Sequence, residues 1–306
     1  MHQHITATPS VTIGVDVGDK TSEVCVIDRD GEWLKSETIH TTPRSLERAF
    51  GDYEGARIVI EVGTHSPWIS RTLEERGFEV VVANARRVRL IASAERKNDK
   101  IDAGTLARLG RLDPMLLAPI SHRGKQAQQD LVLLRTRCGL VESRSKLIAM
   151  ARGQAKSLGL RIPRCSADAF HKRAAASVSE DRLPGVTVLL ATISHLTTQI
   201  RELDRRIERL SATRYPETLV LRQIHGVGPL TALGFVLTIE DPARFVKSRD
   251  VGPYLGLTPR QRDSGNRKPQ LGITKRGDVM LRRLLVGCAR HIIGHSDKKA
   301  IYVVSA

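Results

Sequence analysis

The stretch Val11-Thr12-Ile13-Gly14-Val15-Asp16-Val17-Gly18-Asp19-Lys20 decides how the chain is read. Val11, Ile13, Val15 and Val17 alternate with smaller or polar residues, the period of two that marks a strand with a buried face. Asp16 stands near the far end of that strand, and the break at Gly18 leads into Asp19-Lys20-Thr21. A carboxylate placed there is displayed at a sheet edge or crevice.

Working outward, Cys25 and Ile27 continue in a second strand, Asp28-Arg29-Asp30-Gly31 is a turn, and Trp33 to Thr41 is a third extended segment. Asp-Gly is a good hairpin signal, so these three form a meander. Pro43 to Phe50 reads as a short helix begun at Thr42 or Pro43. Ala56 to Glu61 is a buried strand that ends in a second acid, Pro67 to Arg76 is helical, Phe78 to Ala83 is a strand, and Ala85 to Leu90 runs toward a further helix. A meander followed by alternating helices and strands predicts an α/β domain with a mixed sheet, in the element order of the ribonuclease H fold.

Beyond it the pattern turns helical. Leu131, Leu134, Cys138, Val141, Ser145 and Ile148 step by three and four, and so do Leu189, Ile193, Leu196, Ile200, Leu203, Ile207 and Leu210. The stretch 161–185 between them, rich in Pro, Arg and Ser, reads as a loop. The two periodic runs predict an antiparallel helical hairpin or coiled coil, serving either assembly or packing within one domain. Ile224-His-Gly-Val-Gly-Pro-Leu-Thr-Ala232 is a Gly-rich turn opening a helix, like the turn of helix-hairpin-helix modules, which aims backbone N–H groups at a phosphate. Gly226 and Gly228 are its candidate nucleic-acid contacts, and Gly277 to Ile292 is a last helix. The expected organisation is α/β plus α: a ribonuclease-H-like domain over 1–124, a coiled-coil helical region over 125–212, and a small, mostly helical domain over 213–306.

Composition narrows the partners. The 306 residues carry 49 Lys and Arg against 33 Asp and Glu, a net charge of +16. Such a surface attracts polyanions by counterion release, which makes nucleic acid the leading partner class. Aromatic residues are only 4%, which argues against base stacking as the main mode. Cys25, Cys138, Cys165 and Cys288 have neither CxxC nor Cys/His spacing, which argues against a zinc cage or disulfide scaffold and fits a reducing cytoplasm. An apolar run of about 18 residues is absent, as is a signal peptide, so no membrane partner is expected. Between Arg244 and Arg283 stand eleven Lys or Arg and three Asp, so charge concentrates in the last segment.

The chemistry lies in the acids. Two protein classes open with a strand like β-hairpin-forming 11–28: ribonuclease-H-like nucleases, whose Asp holds divalent metal, and actin-like sugar kinases, whose Gly turn wraps phosphate. A plain buried strand with a capping Asp is the third reading. The kinase reading needs a second Asp-Gly phosphate turn and a Gly-rich adenosine site, and neither is visible. In a ribonuclease H sheet the strands ending in Asp16 and Glu61 are neighbours. Lys97-Asn-Asp-Lys-Ile-Asp-Ala103 adds Asp99 and Asp102, three apart on one helix face, with Ala103, Leu106 and Leu109 as its packing side. Converging carboxylates repel unless cations sit among them, and two Mg²⁺ ions about 3.5–4 Å apart are the usual answer in phosphodiester chemistry, with Mn²⁺ the alternative ion. Ser264, in Arg260-Gln-Arg-Asp-Ser-Gly-Asn-Arg-Lys268, is a second candidate; by chemistry alone a plain turn serine is the better explanation. Arg260, Arg262, Arg267, Lys268, Lys275 and Arg276 are the candidate nucleic-acid cations around it.

Asp16 in GVDVG, Glu61 in IEVG, Asp99 and Asp102 in KNDKIDA, and the later stretches IHGVGPLTA and FVKSRDVGPYLGLTPRQRDSGNRKPQLGITKRGDVMLRRLL resemble the DEDD transposases of insertion sequences, the IS110 group with its IS1111 branch. The resemblance runs from about 11 to 295. It implies an N-terminal domain similar to RuvC resolvases, then a coiled coil and a small transposase domain. It implies a recombinase guided by a structured non-coding bridge RNA that pairs with donor and target double-stranded DNA. In it, Ser264 would be the nucleophile and would form a phosphoserine link to DNA. The acidic tetrad of another protomer would hold Mg²⁺ beside the same phosphate. The assembly implied is a tetramer of two dimers, in the bacterial cytoplasm at the nucleoid. Gly265-Asn266 stands where the family often has Gly-Gly or Gly-Lys, and the tail to Ala306 is shorter than the resemblance leads one to expect. Two readings remain beside it: a junction-cleaving RuvC-like nuclease with no covalent intermediate, and a non-catalytic architectural DNA-binding protein.

Overall fold

The computed structural model describes residues 9–84, 99–178, 183–262 and 269–295. The chain divides into two compact units, Met1–Arg123 and Gly124–Ala306. The first is built from β1 (Val11–Val17), β2 (Thr21–Asp28), β3 (Trp33–His40), α1 (Pro43–Phe50), β4 (Arg57–Glu61), α2 (Ser66–Glu74), β5 (Glu79–Ala83) and α3 (Asp99–Leu112). The helix expected from Ala85 to Leu90 lies outside the described residues.

Its sheet has five strands in the order β3-β2-β1-β4-β5. The meander β1–β2–β3 is antiparallel, and β4 and β5 run parallel to β1. Local chemistry closes the turns. The Asp28 carboxylate accepts the N–H groups of Asp30, Gly31 and Glu32 between β2 and β3, where Gly31 takes a φ of +93°. Thr42 caps α1 through its hydroxyl, with Pro43 in the first turn.

The period of two sends side chains to two different layers. Ile13, Val15, Ile58, Ile60, Val80 and Val82 bury one face against Leu46 and Phe50 of α1 and Ile69 and Leu73 of α2. The other face, with Cys25, Ile27, Val59 and Val81, is covered by α3 through Ala103, Leu106 and Ala107. This helix sits unusually close. A Cβ on Gly14 would overlap the Ala103 carbonyl oxygen and stand 2.6 Å from the Ala107 nitrogen. A Cβ on Gly110 would overlap the Val59 side chain and stand 3.7 Å from Thr12 Cγ2. Arg57, only 1% exposed, forks onto both oxygens of Glu79 at 3.0 and 3.2 Å and donates to the Gly110 carbonyl at 2.9 Å, tying the end of α3 to β4 and β5.

The second unit is helical. α4 (Lys125–Ser157) and α6 (Pro184–Arg214) run antiparallel, since Arg137 pairs with Asp204 and Arg144 with Thr197. The expected loop between them is partly helical: Ser166 caps a 3-10 turn at Ala167–Ala169 that runs into α5 (Phe170–Ala175). Phe170 and Ala174 bury into a cluster with Ala151, Ala155, Val186 and Ile193, and that burial outweighs the composition of the stretch. The inner stripe of α6 is Val186, Leu190, Ile193, Thr197, Ile200, Ile207 and Ser211, while Leu196 and Leu203 stay half-buried on its flank. α7 (Thr218–Leu221), α8 (Pro229–Ile239), α9 (Val251–Tyr254) and α10 (Val279–His295) complete the unit. Among the described residues no helix is long and apolar enough to cross a membrane.

Candidate active site

Register brings two of the four predicted acids, Asp16 and Glu61, to one cleft. On β1, Thr12 faces Gly110 and Gly14 faces Ala103 and Ala107, so α3 runs opposite to the strand. Asp16 is the next residue on that same face, which brings it alongside the first turn of α3, where Asp99 and Asp102 sit. On β4, Arg57 and Val59 face α3, and Glu61 is the next residue on their side. Val15 pairs with Ile60, so Asp16 and Glu61 each lie one residue past the last pair of the β1–β4 ladder. Both line one cleft of about 420 Å³ together with Asp19, Gly63, Thr64 and His65. Asp102 is half-buried, and the Asp99 side chain lies outside the described set.

The donors here are carboxylate oxygens, which suit a hard divalent cation. Among the described residues no group of three His, Cys, Asp or Glu converges closely enough to grip an ion. Asp16 and Glu61 thus supply two sides of a cleft that further oxygens, from α3 or from substrate, would complete.

Sequence reasoning did not single out His65 or Asp19, although both adjoin the acids it chose. His65 Nε2 stands 3.1 Å from Asp19 Oδ1, and Trp68 Nε1 donates to His65 Nδ1 at 3.0 Å. Reciprocal bonds between Ser66 Oγ and the backbone of Gly63, at 3.0 and 2.9 Å, hold the turn between β4 and α2. The only advance signal was position: Gly63-Thr64-His65 follows Glu61 at a strand end.

In the second unit, two stems face each other through an isolated antiparallel bridge between Pro259 and Ile273. Arg260 N–H donates to the Gly272 carbonyl at 3.1 Å and Thr274 N–H to the Thr258 carbonyl at 2.9 Å. The segment 263–268 between these stems, with Ser264, Arg267 and Lys268, lies outside the described residues. Arg260, Arg262, Lys275 and Arg276 are all exposed, and Arg260 and Arg276 line a cleft of about 590 Å³ with Thr258, Gln261 and Thr274. Backbone crossings too tight for side chains shape this platform: a Cβ on Gly256 would overlap the Arg276 backbone, and one on Gly277 the Tyr254 carbonyl. The buried Arg282 locks it by donating to the carbonyls of Leu255 and Arg276 at 3.0 and 2.9 Å.

The Gly-rich turn leads into α8 with Gly228 at its N-cap, after the single turn of α7. Gly226 has a φ of +83°, and a Cβ there would stand 3.2 Å from Ile292 and 3.3 Å from His291 of α10. Its missing side chain therefore has a packing reason, with or without a phosphate.

Comparison with known proteins matches both units. A sequence model described as the transposase IS116/IS110/IS902 family covers residues 219–303. A second, of DEDD transposases of the IS110 type, covers 13–158. The transposase for insertion sequence element IS1111A of Coxiella burnetii is 30% identical over 309 residues, 95% of this chain and 81% of the relative. The transposase for IS1328 of Yersinia enterocolitica is 29% identical over 92% of this chain and 84% of its own. A probable family 20 transposase of Pseudomonas aeruginosa is 25% identical, with 92% and 83% covered.

Proposed function

The chain belongs to the IS110 family of insertion-sequence transposases, enzymes that cleave and rejoin DNA, and from that premise we propose how its residues divide the work. Asp16, Glu61, Asp99 and Asp102 form the metal site of a RuvC-like, DEDD nuclease domain. The observation that carries this reading is the register, which sets Asp16 and Glu61 side by side on one cleft. The cofactor is Mg²⁺, with Mn²⁺ as substitute; when bound, it neutralises charge developing on phosphate oxygens. Ser264 is the nucleophile, and its attack on a backbone phosphorus releases a deoxyribose hydroxyl and leaves a phosphoserine link. The exposed Arg260, Arg262, Lys275 and Arg276, with Arg267 and Lys268, hold DNA phosphates around that serine, and Gly226 and Gly228 offer backbone N–H groups.

Donor and target DNA are paired by a non-coding bridge RNA, and the enzyme acts in the bacterial cytoplasm. The stretch 125–212 is a coiled-coil region and 213–306 the transposase domain. Leu196 and Leu203, half-buried on α6, supply apolar surface for a dimer that pairs into a tetramer. Membership in a family of DNA-cleaving enzymes sets aside the architectural reading; a metal-only RuvC-like nuclease remains the rival, because the cleft would serve it equally.

The metal assignment is tested by DNA cleavage across a Mg²⁺ titration. Asp16→Asn is expected to abolish cleavage while leaving RNA binding, because the cleft is not the basic surface. Cleavage retained in Asp16→Asn overturns the assignment.

A further inference from the structure

The acidic cleft also contains a hydrogen-bond donor of fixed direction. An indole nitrogen only donates, so the 3.0 Å bond from Trp68 makes Nδ1 of His65 the acceptor. The proton of the neutral imidazole is then on Nε2, which donates to Asp19 Oδ1 at 3.1 Å. Two roles are thereby closed. Nδ1 has its lone pair engaged and Nε2 carries hydrogen, so the ring neither takes a proton nor ligates a cation without losing the Trp68 bond.

What remains is an N–H aimed into a cleft of carboxylates. The acceptor it holds is loosely kept: the Asp19 side chain is 89% exposed, so water competes for it. The ring itself is well held, since the Gly63–Ser66 turn is braced and His65 is the N-cap of α2. A donor among acids suits a ligand that brings oxygen acceptors and arrives with cations, which describes a phosphodiester.

We propose that His65 Nε2–H donates to a non-bridging oxygen of the DNA phosphate handled in this cleft, with Asp19 occupying the donor when DNA is absent and Trp68 as the positioning residue that fixes the tautomer. The inference rests on the reading that this cleft handles a DNA phosphate. No proton is transferred: His65 binds and orients.

The test combines spectroscopy and kinetics on the full chain. With ¹⁵N-labelled imidazoles, His65 is expected to show the Nε2–H tautomer, and Trp68→Phe to show a mixture. A duplex carrying the element's end, added with Ca²⁺ in place of Mg²⁺, should shift the His65 Nε2–H signal. In cleavage assays His65→Phe should lose about tenfold to a hundredfold in kcat/KM, the worth of a hydrogen bond to a charged group. His65→Gln, which keeps an N–H donor, should recover most of it, and neither change should move the Mg²⁺ midpoint. An Nδ1–H tautomer in the wild type, full activity in His65→Phe, or a displaced Mg²⁺ midpoint overturns the proposal. Asp16→Asn run alongside separates the two failures. Its loss of cleavage beside an active His65→Phe removes only the role of His65, whereas its retained cleavage removes the reading of the cleft.

Discussion

Replacing Gly14 with Ala puts a methyl group where β1 and α3 meet backbone to backbone. The new Cβ would overlap the Ala103 carbonyl oxygen and stand 2.6 Å from the Ala107 nitrogen, and ordinary contact begins at 3.4 Å. The helix must therefore retreat by about 0.8 Å at Ala107 and more at Ala103; both atoms are backbone, so no rotamer change relieves the clash. Overpacking of this kind costs about 1–3 kcal/mol. For a unit of this size that lowers Tm by about 4 °C per kcal/mol. In the proposed metal site the same retreat would draw Asp99 and Asp102 away from Asp16, and misplacing reacting groups by about 1 Å costs on the order of a hundredfold in rate. Thermal melting and Mg²⁺-dependent DNA cleavage read the two effects together. Gly139→Ala is the control, since a Cβ there meets nothing within 4 Å and the residue lies inside α4. It should hold or slightly raise Tm. A Gly14→Ala protein that melts and cleaves like the wild type would refute the seating of α3 and the acid geometry built on it.

Arg57→Met removes the donor to the Gly110 carbonyl and the guanidinium bonds to Glu79, and should cost about 3 kcal/mol in urea unfolding, the lower end for breaking a buried pair because Glu79 keeps some solvent; an unchanged midpoint would contradict the bracing role. Partial burial pushes the Asp168 carboxyl up, but the bond and charge of Arg144 and the charge of Arg201 outweigh it and hold the carboxyl below its ordinary value. A depressed carboxyl pKa stabilises the fold above the unfolded value of about 3.9 and loses that contribution as pH falls through the folded value. Wild type should therefore lose more stability than Asp168→Asn between about pH 5 and pH 2, and parallel curves would contradict it. Arg260→Ala with Arg276→Ala should flatten the log–log salt dependence of DNA binding by about 0.9 per lost phosphate contact; an unaltered slope would place DNA elsewhere.

Much of the first unit was legible because a strand's period of two is written directly into residues. Val11 to Val17 and Ile58 to Glu61 showed both their buried faces and the acids at their ends, and Asp-Gly announced the meander. What stayed hidden depends on contacts between distant residues. Nothing local to Gly14 or Gly110 says that a helix lies on the backbone there, and Arg57 with Glu79 looks like two ordinary surface charges until β4 and β5 pair. His65 was invisible for the same reason, since its direction is set by Trp68 and Asp19 together. In α6 the heptad-like spacing located the helix, yet the buried stripe admits Thr197 and Ser211, because Arg144 and Thr218 give those hydroxyls partners. The stretch 161–185 misled by composition: Phe170 and Ala174 are few, but their burial is enough to order a helix.

The proposed link from Ser264 to DNA, formed in a reaction that needs the acidic cleft, can be trapped on a denaturing gel. Purified wild type, Ser264→Ala and Asp16→Asn proteins would each be mixed with RNA from the element's flank, end-labelled DNA and Mg²⁺, then run on a denaturing gel. A labelled DNA–protein band is expected in the wild type and none in either variant. Nicked DNA without an adduct, produced equally by wild type and Ser264→Ala, would contradict it and make the protein a metal-dependent hydrolase.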